Sequence, residues 1–480
     1  MSKQGLHNSI YDRTDQLIGL SDEIWGYAET AFTEAQSAEA LCLYLEREGF
    51  VVERNVAQVP NAFSARFGSG APVIGLLGEY DALFALSQQS DVSEKVPHEP
   101  GRPGHGCGHN LLGVASAAAA VAVKDHLVQS GASGTILYYG CPGEEGGSGK
   151  AFMAREGVFD ELDAAFTWHP GSLNIVSGQS SLANIQVAYK YTGISAHAAA
   201  DPYNGRSALD AVELLNIGVQ FMREHMPGDA RVHYAITNSG GFSPNVVQPE
   251  AEVLYLVRAP KNAQTSDLFD WVTDIARGAA LMTQTQLEVK FVKACSNVIP
   301  NNALERLLHV NMAALQLPTY SQAEWDKAAE YNATAPTKKD LVSKYGSEGG
   351  QPVIDCLTQH AGKAINDFVL PYFPSTAVTM GSTDVGDVSW VCPTAQFTAV
   401  TNAAETPGHS WQYVAQGKSP IAHKGMLFAA EVMAASVFDL LTDEKLLEEA
   451  KAEHSARVGP DGYICPIPKG VVPKPIGSNM

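Results

Sequence analysis

Cysteine is scarce in this sequence. The seven residues at positions 42, 107, 141, 295, 356, 392 and 465 are few for 480 and odd in number. That suggests no disulfide framework and makes a reducing cytoplasm the simpler expectation. Basic residues are short as well: 32 Lys and Arg face 52 Asp and Glu, a formal net charge of -20. Nucleic acid and anionic membranes are therefore excluded as expected partners, although a local basic site can still hold a small anion. Long apolar runs are missing. The longest, 111–123, is too short and alanine-rich to span a bilayer, and the opening MSKQGLHNSI has no apolar signal core. No internal repeat is visible. With 45% hydrophobic and 18% charged residues, a soluble globular protein is expected. Its length exceeds one ordinary core and predicts two domains.

What the chain does hold is concentrated in Gly104-His105-Gly106-Cys107-Gly108-His109-Asn110, a glycine-rich turn running into an apolar stretch. The pattern predicts a loop ending at a buried helix, with Asn110 as N-cap. A thiolate and a neutral imidazole facing one point suit zinc, or manganese with less preference for the thiol. On their own, Cys107 and His109 are no more than a buried thiol beside an unrelated imidazole. Other metal-type residues at element ends change that reading.

Residues 8–49 carry helical periodicity up to Gly49, and strands are predicted at 50–52 and 63–67. The continuous apolar run 73–78 reads as a strand buried on both faces, and it leads into Glu79-Tyr80-Asp81. Carboxylates beyond a buried strand's C-terminal end sit where open α/β sheets bind ligands. A proline-rich loop covers 84–103. Another strand, 135–140, ends in Cys141-Pro142-Gly143-Glu144-Glu145, where one carboxylate can hold metal while the other takes a proton from water. A third, 164–168, ends in His169. From 183 to 295 the pattern β-α-β-β-α-β predicts an inserted layer of one sheet and two helices. Residues 317–370 read as an irregular helical insert containing Lys338-Lys339-Asp340. The strand 395–400 leads to Gly408-His409-Ser410, and His423 is expected to open the last helix.

The motifs Glu79-Tyr80-Asp81-Ala82-Leu83, Cys107-Gly108-His109-Asn110, Glu144-Glu145, Trp168-His169-Pro170, Ser195-Ala196-His197-Ala198-Ala199 and Gly408-His409-Ser410 cover most of the chain. In this order they resemble the M20 metallopeptidase and amidohydrolase family, in its aminoacylase and auxin-conjugate hydrolase branch. The resemblance implies an α/β fold. A discontinuous catalytic domain, 1–182 and 296–480, has a mixed sheet flanked by helices, and 183–295 is an inserted α+β lid and dimerisation domain. It also implies two divalent ions, Mn2+ or Zn2+, held by Cys107, His109, Glu145, His169 and His409 with the thiolate bridging. Asp81 is implied to orient a ligand. Glu144 is the implied general base, and His197 the implied oxyanion donor, reaching a second subunit's site. Asn245 and Arg258 are implied to grip the substrate amide and carboxylate.

Two positions depart from the branch, where Asp is usual: Glu79 and Asn110. His105, Cys141 and His423 match no ligand position and read as structural. The implied reaction is hydrolysis of an N-acyl amino acid, with p-aminobenzoyl-glutamate the expected substrate. Other N-acyl amino acids, such as indole-acetyl conjugates, and dipeptides are alternatives. So are a non-catalytic paralogous subunit, against which Glu144 argues, and a thiol hydrolase with Cys107 as nucleophile and His109 as base. The expected assembly is a homodimer, or a heterodimer with a paralogous subunit, through the lid.

Overall fold

A computed structural model describes residues 2–176 and 178–475. Its largest sheet has seven strands in the order Val51–Arg54, Phe63–Ser69, Gly134–Cys141, Val73–Glu79, Ala164–Gly171, Thr394–Val400 and Ile175–Val176. The third to sixth run parallel, and the pairings outside them are antiparallel. The four parallel strands therefore point their carboxyl ends to one side, which is where Glu79, Glu144 and His169 lie in the chain. The mixed α/β fold is as expected.

Two helices lie together over this sheet, His109–Ser130 and Pro420–Thr442. By length and composition both could cross a membrane, yet 89% and 78% of their apolar windows are buried inside the protein. They are apolar all round because sheet, helices and neighbours surround them. Trp168 fastens the first to the sheet, its Nε1 donating to Leu112 O at 3.1 Å. Gly113 permits the close approach: a Cβ there would sit 2.7 Å from Glu79 O.

The second sheet has four antiparallel strands in the order Gln286–Cys295, Ala183–Thr192, Glu250–Ala259 and Arg231–Asn238. The helices Ala208–Arg223 and Asn262–Thr283 pack on it around their own apolar cluster, which includes Val187, Leu215, Tyr255 and Val272. Residues 317–370 contain the helices Gln322–Ala333 and Leu341–Gln359, the latter interrupted at Gly350 and carrying Pro352.

Several expectations about helices need correction. Residues 8–49 form parts of three helices, Lys3–Tyr11, Thr14–Tyr27 and Ala35–Arg47, with Ala28 in a left-handed conformation ending the second. Periodicity survived these breaks because all three helices turn apolar faces to the same core. Asn110 is not an N-cap. The cap position is Gly108, at φ 73°, and Asn110 lies within the helix. His423 does not open the last helix: Ser419 caps that helix, Pro420 begins it, and Glu444–Val458 follows.

Gly113→Ala should force the helix off the Glu79 carbonyl. Overpacking of this kind costs about 1–3 kcal/mol. The urea midpoint is expected to fall, and an unchanged midpoint would show that the helix and strand can part freely.

Candidate metal centre

The side chains of the site come from element ends and from the turns beside them. Glu79 closes its strand, and Glu144 and Glu145 occupy a turn, closed by Gly147 N on Gly143 O at 2.8 Å, beyond Cys141. His169 lies near the end of its strand, and His109 is the first residue of its helix. His409 sits at φ 51°, a left-handed conformation uncommon for a side-chain-bearing residue, with its N–H on Gly106 O at 3.2 Å. Such conformations persist where surrounding structure holds them, often at functional sites.

The side chains converge on Cys107. Its Sγ is 3.4 Å from His169 Nε2 and 3.5 Å from His409 Nε2. His409 Nε2 is 3.5 Å from Glu145 Oε1. Donor atoms of Cys107, His109 and His169 lie within 4.8 Å of one another, and so do those of Cys107, Glu145 and His409. The two groups share only the thiol. A third group, Glu79, His109 and Glu144, adjoins them.

The donors fit a metal. Asp81 Oδ1 takes the Nδ1 side of His109 at 2.9 Å, which leaves Nε2 for a cation; this carboxylate–imidazole arrangement is usual behind a metal-ligating histidine. Pro170 O similarly lies 2.7 Å from His169 Nδ1 and also accepts from Tyr413 Oη at 2.6 Å. His109 Nε2 and Glu145 Oε1 are buried without hydrogen-bond partners. Glu79 Oε2 is only 3.2 Å from His109 Nε2, but the contact does not form a hydrogen bond and leaves that nitrogen unsatisfied. Burial pushes the Cys107 thiol up, with Glu145 adding to it, so a thiolate here calls for nearby positive charge such as bound cations supply. Burial also raises Glu144 well above the carboxylate range, reinforced by Glu79 and Glu145.

Asp81 does more than orient one ligand, because its Oδ2 accepts from Glu145 N at 2.8 Å. Glu34, buried, accepts from Gly143 N at 2.8 Å and holds the same turn. Behind them Lys150, fully buried, places Nζ 2.6 Å from Glu79 Oε1 and 2.7 Å from Asp384 Oδ1. Sequence reasoning missed Glu34, Lys150 and Asp384. The one available signal for Lys150 was a lysine shortly after the paired glutamates.

Glu79 thus bridges Lys150 and His109. Burial is the largest single influence and works against its charge, but Lys150, His109 and His169 together outweigh it and hold Glu79 low. Asn110 turns toward Ser21 and Gly417: its Nδ2 donates to Ser21 Oγ and to Gly417 O, each at 3.1 Å. An amide suits this place because a carbonyl needs a donor, which an aspartate lacks. His105 is buried with Nε2 3.0 Å from Ile24 O, and Cys141 is buried at its strand end. His423 pairs with Asp22 at 2.9 Å. None of these three belongs to the ligand groups.

His197 and Asn245 are not brought to this pocket. Both are exposed, on two loops that pair where Ala198 N donates to Asn245 O at 2.9 Å. Ile194, Tyr203, Phe242 and Val246 expose apolar surface beside them. Arg258 does come near. It lines a cavity of about 490 Å³ that includes Glu145, and its Nη1 lies 3.4 Å from Ser382 Oγ. Ser382 in turn lines the cavity of about 340 Å³ that holds Cys107, Glu144, His169 and His409.

Lys150→Met would leave Glu79 and Asp384 buried without their cation. Breaking a buried pair in this way costs about 3–5 kcal/mol. The variant should melt well below the parent, and adding Glu79→Gln should recover part of the loss. Equal melting temperatures for parent and Lys150→Met would refute the role.

Residues 75–458 match the family described as Peptidase family M20/M25/M40. The chain is 50% identical over 459 residues, 95% of each chain, to one of the named subunits of p-aminobenzoyl-glutamate hydrolase from Escherichia coli (strain K12). It is 28% identical to Xaa-Arg dipeptidase of Mus musculus over 465 residues, 94% of this chain and 91% of that one. Among solved structures, an aminobenzoyl-glutamate utilization protein from Klebsiella pneumoniae shares the fold. Its TM-score is 0.60 at 16% identity, and the match covers 90% of this chain and 98% of that one.

Proposed function

The chain belongs to peptidase family M20/M25/M40 and is an amide-bond hydrolase, and from that premise we propose that it cleaves p-aminobenzoyl-glutamate to p-aminobenzoate and glutamate. The observation that carries this reading is two ligand groups sharing Cys107, with Glu144 in the same cavity. The substrate assignment rests on the Escherichia coli relative.

We take the ligand groups to be Cys107, His109 and His169 for one ion and Cys107, Glu145 and His409 for the other, with Mn2+ or Zn2+ as the ions. When bound, such ions polarise the amide carbonyl and acidify water. The protein's own part is proton movement and grip. The Glu144 carboxylate takes a proton from the attacking water and returns it to the leaving nitrogen. Arg258, whose buried Nε has no hydrogen-bond partner, offers a planar fork to the α-carboxylate.

His197 serves a second subunit's site. Its Nδ1 accepts from Ala199 N at 3.2 Å and Ala200 N at 3.1 Å, so the ring proton is on Nε2, free to donate to a developing oxyanion. Asn245 lies on the adjoining loop and faces the same partner. Exposed apolar side chains around the two loops favour burial against another chain. The assembly is read as a homodimer, or a pair with a related chain, since the Escherichia coli relative is named as one subunit of its enzyme. All seven cysteines are free, which supports a cytoplasmic setting.

Glu144→Gln keeps shape and removes the base. Turnover should fall by about 100-fold or more while bound metal persists. A chelator should abolish parent activity and divalent metal should restore it. Activity that survives chelation would favour Cys107 as nucleophile instead.

Mixing a His197→Ala chain with a Glu144→Gln chain should restore activity, since one of the two sites in a mixed dimer regains both groups. A mixed dimer as inactive as its parents would refute the cross-subunit role.

A further inference from the structure

The metal cavity has a second wall that none of the motifs describes. It is formed by the insert helix Leu341–Gln359, which brings Lys344 and Tyr345 to the cavity. The wall is built, not incidental. Asp340 caps the helix, its Oδ1 accepting from Ser343 N at 2.9 Å and its Oδ2 from Ser343 Oγ at 2.6 Å. The Tyr345 ring packs 6.4 Å from that of Phe373, against an apolar cluster that includes Leu173 and Ile175. Those two residues follow directly on the strand that carries His169. The insert is thereby anchored to the same chain segment as a proposed ligand.

Lys344 is the single Lys or Arg among the described residues lining this cavity, whose other charged groups include the carboxylates of Glu79, Glu144 and Glu145. Its ammonium forms no ion pair among the described residues and lies 4.9 Å from the Tyr345 ring. The nearby Lys339 differs: its Nζ donates to Ser172 Oγ at 2.8 Å and its backbone N to Glu405 Oε2. Glu79 is committed to Lys150, and Glu145 belongs to a ligand group, so neither answers Lys344. An unpaired cation beside a cavity in a chain of net charge -20 is suited to an anion that arrives with the substrate.

We propose that Lys344 is a specificity-determining residue that binds the side-chain carboxylate of the leaving amino acid. This rests on the N-acyl glutamate reading above. A glutamate leaving group carries two carboxylates, and one cation cannot grip both at separate ends. Arg258 reaches the cavity through Ser382 from the four-stranded sheet, while Lys344 reaches it from the insert. The two cations approach from different elements and divide the two carboxylates between them. The substrate class that follows is an N-acyl amino acid with an acidic side chain, preferred over its neutral amide isostere.

The test compares p-aminobenzoyl-glutamate with p-aminobenzoyl-glutamine in the full-length, metal-loaded parent, Lys344→Gln and Lys344→Glu. Lys344 is exposed, so both variants should keep the parent's melting temperature. The parent should prefer the glutamate substrate. Lys344→Gln should reduce that preference about tenfold, mainly through KM, as expected for losing one charge-assisted contact. Its turnover of the glutamine substrate should be little changed, and inhibition by free glutamate should weaken in parallel. Lys344→Glu should shift preference further toward glutamine. If the parent cleaves the glutamate substrate and Lys344→Gln keeps the same preference, the assignment of Lys344 is wrong and the function stands. If the parent cleaves no N-acyl glutamate, the function and this inference fall together.

Discussion

One buried carboxylate ties the centre together. Asp81 holds the His109 ring with one oxygen and the Glu145 backbone with the other. It thereby fixes the relation between a candidate ligand from the helix start and a candidate ligand from the turn after the neighbouring strand. The rest of the site is built out from this double contact. Glu34 secures the same turn from behind, and the shared carbonyl of Pro170 aligns His169 with the helix that follows His409. A metal site whose ligands come from distant stretches needs such supports, because each ligand must arrive in the right orientation before an ion can bind well.

The electrostatic cost of the arrangement is met in layers. Four carboxylates, Glu79, Asp81, Glu144 and Glu145, crowd one side of the sheet. Lys150 supplies an interior cation to Glu79, and Asp384 in turn steadies Lys150. Burial lowers the tendency of Lys150 to stay charged, but Asp384 and Glu79 outweigh it. Asp81 is taken up by His109 and the Glu145 N–H, which leaves Glu145 and the thiol as candidate ligands for cations from solution.

The two additions to the central sheet contribute differently. The four-stranded layer gives Arg258 to the neighbouring cavity, while exposing His197 and Asn245 on loops rimmed by apolar side chains. The insert packs on Leu173 and Ile175 and brings Lys344 and Tyr345 to the cavity that holds Cys107. The candidate ligands thus come from the parallel strand ends and the turns and helix start beside them, while the attached elements bring Arg258 and Lys344 to the cavities.

Much of this was legible in the sequence. Strand ends are local events: an apolar run stops, and Glu79, Glu145 or His169 stands at the stop, so residue type and place can be read together. The β-α-β-β-α-β order of 183–295 was legible for the same reason. Helix boundaries were not: one core-facing periodicity ran through three separate helices, and Asn110 looked like a cap because its tertiary partners, Ser21 and Gly417, could not be seen. Sequence alone determined which residues have metal-binding chemistry and in what order they come. Only the tertiary structure decided that Lys150 meets an aspartate 234 residues away, that Glu79 serves it, and that an insert helix turns Lys344 toward the cavity. A buried ion pair between distant residues leaves no periodic or spacing signal along the chain, and its partners become identifiable only when packing closes around them.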